Sequence, residues 1–254
     1  MGAICLRAQG LIIRFKGIEI IMSNTPQLHE KFRYSVNYVG NEREPVLIID
    51  EFLADAKSLV DFTQKSSFNS ADTYYPGLRA PAPNLYLEIL SHYLHDIVAE
   101  TFGLRDENVK SAKADFSLVT TSPKNLKHIQ TIPHFDSTKK SELAAVHYLC
   151  DGDKGGTSLY RHRATGFEYV DGKRIYDYEE SVRREIEKSS YVPAYINGSN
   201  DRFERIASYE AVFNRFIMYR CTSLHSGNIA SDFDFDKNPR TGRLTLNTFI
   251  FCHE

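Results

Sequence analysis

His134, Asp136 and His225 have the types and the order needed to hold one ferrous ion, and Arg243 follows them further down the chain. His134 and Asp136 stand in the run Ile132-Pro133-His134-Phe135-Asp136-Ser137. On an extended strand, residues two apart project from the same face, so both side chains can reach one metal. Two imidazoles and a carboxylate on one side of an octahedral ion leave the remaining positions open for a cosubstrate and dioxygen. The His-X-Asp spacing alone is a weak signal, because a chain with nine histidines and 33 acids produces it by chance.

The text around the ligands strengthens it. Leu143-Ala-Ala-Val-His-Tyr148 is an apolar run, followed by a turn at Gly155-Gly156-Thr157 and a second run to Tyr160. Further on come Phe213-Asn-Arg-Phe-Ile-Met-Tyr219, then Leu224-His225-Ser226-Gly227, then Arg243-Leu-Thr245-Leu-Asn-Thr-Phe-Ile-Phe251. The order of His-X-Asp, a Tyr-Leu strand, a Gly-Gly-X-Thr-like turn, an apolar strand, a distal His and a basic residue on the last strand resembles the prolyl-hydroxylase-like branch of the Fe(II)/2-oxoglutarate-dependent dioxygenases. The likeness covers roughly residues 112–252. The joint pattern is far more specific than any one piece.

The resemblance implies a role for each matching position. His134, Asp136 and His225 would be the iron ligands, Arg243 the cation for the distal carboxylate of 2-oxoglutarate, and Tyr148 a hydrogen-bond donor to that carboxylate. Chemistry agrees, since a guanidinium takes a carboxylate through two parallel hydrogen bonds and never loses its charge. Thr245, two residues along the strand from Arg243, would face the same way and could add a hydroxyl donor. The implied activity is hydroxylation of a peptide side chain, an amino acid or a small metabolite, with dioxygen consumed and ascorbate as an accessory reductant. Related halogenases replace the carboxylate ligand by a small residue, so Asp136 argues for oxygenation. Two other readings stay open: a cupin-like metal enzyme that does not use 2-oxoglutarate, in which Arg243 and Tyr148 only pack, and a non-enzymatic jelly-roll binding module.

A scaffold must bring these distant residues together. The second half is rich in short strands separated by turns, which fits a double-stranded β-helix, the jelly-roll barrel of cupins and these dioxygenases. Phe203–Ile206 and Phe216–Tyr219 are expected as neighbouring strands. Upstream, Val46–Ile49 reads as a strand, and Asp50 is expected to cap a helix carrying Phe52, Ala56, Leu59, Val60 and Thr63. After a turn-rich segment at 74–83, Tyr86, Ile89, Leu90, Tyr93, Leu94, Ile97 and Val98 define a second helix to about Phe102. The expected fold is therefore mainly β with flanking helices, an α+β chain with a jelly-roll core and an N-terminal helical buttress. A charged insertion at roughly 171–201 is either a lid or a solvated excursion.

Composition sets outer bounds. At 254 residues, 42% hydrophobic and 25% charged, the chain can bury one full core, expected as a single domain over 22–254. A net charge of −2 with scattered basic residues offers no phosphate-tracking surface, so no nucleic-acid partner is expected. Cys150 and Cys221 lie in apolar contexts and are expected as small buried hydrophobes, which suits a reducing, cytoplasmic setting and ferrous iron. In residues 1–21 the apolar runs are broken by Arg14, Lys16 and Glu19, so neither a membrane span nor a signal sequence is expected. That stretch is read as a disordered leader or an extended start ahead of Met22.

Overall fold

The computed structural model describes residues 12–15, 18–21, 27–70, 75–105, 108–188 and 192–253. The first strands, β1 (Ile12–Phe15) and β2 (Ile18–Ile21), pair antiparallel, and apart from them the expected leader lies outside the described residues. Next come β3 (Arg33–Val39), β4 (Glu44–Asp50), α1 (Lys57–Thr63), β5 (Asn69–Ser70), β6 (Gly77–Pro81) and α2 (Asn84–Phe102). The second half holds β7 (Val109–Val119), β8 (Leu143–Tyr148), β9 (Thr157–His162), α3 (Ile175–Lys188), β10 (Phe203–Tyr209), β11 (Phe216–Arg220), β12 (His225–Gly227) and β13 (Leu244–Cys252).

Eight strands form one antiparallel sheet in the order β3-β4-β11-β8-β13-β7-β6-β5, and a smaller sheet runs β10-β9-β12. His134 bridges to His225, which adds the segment around residue 134 as a fourth member of the smaller sheet beside β12. Counting core strands from β7, with the 134 segment second, the large sheet contains strands 1-8-3-6 and the small one 2-7-4-5. That interleaving is a jelly roll, and it brings the two halves of the motif, 91 residues apart in the chain (225 minus 134), onto adjacent strands.

Burial explains the layers. In β4 and β8 nearly every residue is buried, because these central strands are covered on both faces. Leu47, Ile49, Phe116, Leu118, Leu244 and Leu246 turn outward to pack with α1 and α2. Val46, Ile48, Ala144, Val146, Tyr148, Ile217 and Tyr219 turn inward toward Leu159 of the small sheet. No side chain caps the N-terminus of α2, so its stability comes from Tyr86, Ile89, Leu90, Leu94, Val98 and Phe102, each buried side chain worth about 1.5–3 kcal/mol. Truncating Leu94, 1% exposed, to Ala should cost about 2–5 kcal/mol.

Three expectations need correction. The first helix starts at Lys57, because Asp50 ends β4 and its carboxylate accepts from Arg215 Nε at 2.6 Å instead of capping a helix. The turn-rich segment holds a strand: β6 pairs with β7 over Gly77–Pro81. Phe203–Ile206 and Phe216–Tyr219 are not neighbours, since β10 pairs with β9 in the small sheet while β11 lies between β4 and β8 in the large one.

The charged insertion divides in two. Tyr178 and Val182 of α3 are buried against Tyr160, Val170, Phe203 and Leu224, while Arg183 and Arg184 pair with Glu187 and Glu180 on the opposite, solvated face. The helix is thus a buttress of the small sheet. Beyond it, the chain returns Tyr195 to the barrel mouth, where its hydroxyl donates to Thr121 O at 2.6 Å. Cys150 and Cys221 are buried as expected. Among the described residues no helix is long and apolar enough to cross a membrane.

Candidate metal centre

Strand pairing brings the candidate metal ligands together. The His134 N–H donates to His225 O at 2.9 Å, the His225 N–H returns to His134 O at 2.8 Å, and the Asp136 N–H donates to Cys221 O at 2.8 Å. The imidazoles lie 4.3 Å apart, centroid to centroid. Asp136 Oδ1 is 3.8 Å from His134 Nε2, and Oδ2 is 3.4 Å from His225 Nε2. Among the described residues these three form the one group whose ligand atoms all lie within 4.8 Å of one another. Ligands bound at right angles about 2.1 Å from one ion stand roughly 3 Å apart, so the spacing is close to what coordination needs.

The protonation pattern suits a cation. His225 Nδ1 is 2.9 Å from Ser223 O, which can only accept, so Nδ1 carries a proton and Nε2 is the nitrogen turned toward Asp136. Burial, followed by the neighbouring His225, pushes the His134 imidazole down to about 4, although 42% of its side chain still reaches solvent. It is neutral and able to ligate at pH 7.

Arg243 shares a cavity with the triad. It is 4% exposed, and its guanidinium donates to Gly156 O at 2.8 Å and Gly155 O at 3.4 Å. No carboxylate pairs with it among the described residues. Carbonyls offset part of the cost of burying a guanidinium, which is several kcal/mol, but supply no counter-charge. The turn that holds it depends on glycine: Gly155 has φ +74°, and a Cβ at Gly156 would stand 1.8 Å from Tyr209 O.

The remaining expected residues lie close by, in altered roles. Tyr148 is fully buried and does not line the cavity; its hydroxyl donates to Thr157 Oγ1 at 2.7 Å, and burial pushes the phenol up to about 12. Thr157 does line the cavity, so the Tyr148 proton fills one Thr157 lone pair and leaves the threonine's own proton for a ligand. Thr245 pairs in register with Tyr148, and its buried Oγ1 has no hydrogen-bond partner among the described residues.

Sequence reasoning missed Thr157, Asn247 and Tyr195, and it weighed the Tyr75–Arg79 segment as a substrate loop but preferred a plain connector; Arg79 and the other three all line the cavity. Thr157 was signalled by the Gly-Gly-Thr turn. Asn247 continues the alternation that places Arg243 and Thr245 on one face of the last strand. Arg79 was hidden by the prolines and the glycine around it, and Tyr195 sits in an insertion that carries no motif.

A family model described as "Family of unknown function (DUF6445)" matches residues 30–250. No curated protein matches the sequence. Solved structures similar to this chain include the non-heme alpha-ketoglutarate-dependent carbocyclase SnoK from nogalamycin biosynthesis, 12% identical over 82% of this chain and 79% of that one, with a TM-score of 0.43. HygX from Streptomyces hygroscopicus, with nickel and 2-oxoglutarate bound, is 10% identical over 81% and 82%, with a TM-score of 0.47. An N-substituted L-amino acid dioxygenase from Burkholderia ambifaria AMMD is 8% identical over 84% of both chains, with a TM-score of 0.38. Likeness at this level assigns no chemistry to this chain.

Proposed function

The chain belongs to the family of unknown function DUF6445, and we propose that it is an Fe(II)- and 2-oxoglutarate-dependent oxygenase that hydroxylates a small molecule or a peptide side chain. The observation that carries this reading is Arg243, a buried guanidinium that pairs with no carboxylate among the described residues, in the cavity that also holds His134, Asp136 and His225. A cupin-like enzyme that does not use 2-oxoglutarate would leave that charge unbalanced. Placement in the prolyl-hydroxylase-like branch belongs to the same proposal and rests on the order of motif elements from His134 to Arg243.

The residues present fit both groups. His134 Nε2, His225 Nε2 and one Asp136 oxygen would hold the iron, and Arg243 with the Thr157 hydroxyl would take the distal carboxylate of 2-oxoglutarate. When bound, iron and 2-oxoglutarate supply dioxygen activation, in which the cosubstrate becomes succinate and carbon dioxide and one oxygen atom is delivered to the substrate. The protein's part is positioning. Ser223 O fixes the His225 tautomer, and the Gly155 and Gly156 carbonyls aim Arg243. Tyr219, 2% exposed and with its ring centroid 4.8 Å from that of His225, packs beside that ligand and lines the cavity.

The test is succinate release from 2-oxoglutarate by the purified protein under air. Release that depends on added ferrous iron and disappears in His225→Ala is the expected result. Iron binding without any succinate would favour the cupin-like alternative.

A further inference from the structure

Arg79 is a second cation in the same cavity, in addition to Arg243 and outside the His134, Asp136 and His225 group. It lies on β6, where Ala80 is fully buried in the outer core, so by alternation Arg79 faces the barrel interior. Its guanidinium carbon stands 4.6 Å from the Tyr75 ring centroid and 5.9 Å from that of Phe249. Its Nε is buried without a hydrogen-bond partner, and no carboxylate pairs with it among the described residues. Asn247, which also lines the cavity, likewise keeps a buried Oδ1 without a hydrogen-bond partner among the described residues. A donor left unsatisfied in a half-buried cation is destabilising, and a ligand that accepts from it removes that cost.

Charge defines the ligand. The only charged groups lining the cavity among the described residues are Arg79, Arg243 and Asp136. With a ferrous ion and a dicarboxylate cosubstrate in place, one positive charge remains unbalanced, and it resides at Arg79. Tyr75 covers the flat face of the guanidinium, leaving its planar edge for two parallel hydrogen bonds, the geometry that a carboxylate matches. Arg79 stands on β6 and Arg243 immediately before β13, with β7 between the two strands.

We propose that Arg79 anchors the carboxylate of the substrate, so that the enzyme acts on a small monocarboxylic acid; this rests on the Fe(II)/2-oxoglutarate reading above. Val119, Ile129 and Phe249 line the same wall and suit an apolar remainder to that acid.

The experiment titrates the protein loaded with Mn(II) and saturating 2-oxoglutarate, without oxygen, by calorimetry. The probes are hexanoate, 4-phenylbutyrate and N-acetyl-L-leucine, each paired with its primary amide. At least one acid is expected to bind tenfold or more tightly than its amide. Arg79→Gln should abolish that preference while leaving 2-oxoglutarate affinity within about threefold, and Arg79→Lys should restore part of it; if the Gln variant does not fold, Arg79→Met takes its place. Acids binding no better than amides, or a preference that survives in Arg79→Gln, overturns the proposal. A tenfold or greater loss of 2-oxoglutarate affinity in Arg79→Gln also overturns it, by making Arg79 a cosubstrate residue. If wild type binds no 2-oxoglutarate, the reading of the cosubstrate fails separately, and the same titration of the metal-free protein still decides whether Arg79 selects carboxylates.

Discussion

His134 and His225 exchange both backbone hydrogen bonds, at 2.9 and 2.8 Å, so two imidazoles from distant parts of the chain are locked in cross-strand register beside Asp136. The candidate metal centre is in this sense a product of strand pairing. His134→Ala or His225→Ala should weaken ferrous binding by more than about 100-fold, since loss of groups that merely orient ligands already costs about 10- to 100-fold. Anaerobic calorimetry with Fe(II) reads this, and unchanged affinity in both variants would remove the triad from the site.

The Tyr148 hydroxyl reaches the cavity through Thr157, and its ring centroid lies 6.0 Å from the Arg243 guanidinium carbon. Thr157→Val should therefore weaken 2-oxoglutarate binding by about tenfold, while Tyr148→Phe should cost less, because a neutral hydrogen bond is worth about 0.5–1.5 kcal/mol net. Kd values for 2-oxoglutarate in the presence of Mn(II) give the order directly. A larger effect from Tyr148→Phe would mean that the phenol itself contacts the cosubstrate.

Gly156→Ala places a Cβ 1.8 Å from Tyr209 O, a backbone atom that cannot step aside without moving the end of β10. Stability should fall by about 1–3 kcal/mol. The carbonyl that holds Arg243 shifts with the turn, so 2-oxoglutarate affinity should fall at least tenfold while metal affinity stays within about threefold. Equal losses of both would point to general unfolding.

His147 carries a pH signature. It is fully buried, its Nε2–H donates to Asn214 Oδ1 at 3.2 Å, and its Nδ1 accepts from the Tyr86 hydroxyl at 3.1 Å, so the ring is neutral. Burial pushes it down to about 4 from 6.5. Between those values the unfolded chain binds a proton that the folded chain does not. This contribution to stability is therefore fully present above about pH 6.5 and is lost as pH falls toward 4, by at most about 3 kcal/mol. Urea unfolding of the metal-free protein at pH 7.5, 6 and 5 should show a shallower loss in His147→Gln than in wild type. Parallel curves would contradict this account.

The legible part of the chain was that in which one residue type answers one physical demand. The apolar face from Tyr86 to Val98 could only be a packed helix, and the paired His and Asp spacing could only be tested as a strand. What stayed hidden depended on partners far away in sequence. Asp50 looked like a helix cap until Arg215 claimed its carboxylate. Phe203 and Phe216 begin similar strands, but which sheet each joins is settled by pairing with β9 or with β4 and β8. Arg79 gave no local sign of facing inward, because its orientation follows from register with β7.

Arg243 is expected to hold the distal carboxylate of 2-oxoglutarate next to iron. The direct measurement is the metal-to-ligand charge-transfer absorbance of the anaerobic Fe(II) protein during 2-oxoglutarate titration, in wild type and in Arg243→Ala. Removing one partner of a buried, charge-assisted pair can cost roughly 3–5 kcal/mol. The band should therefore develop in wild type, and in Arg243→Ala it should require at least about 100-fold more 2-oxoglutarate, equivalent to about 2.7 kcal/mol, with iron still bound. A wild type without the band, or an Arg243→Ala variant that titrates like wild type, would contradict the claim.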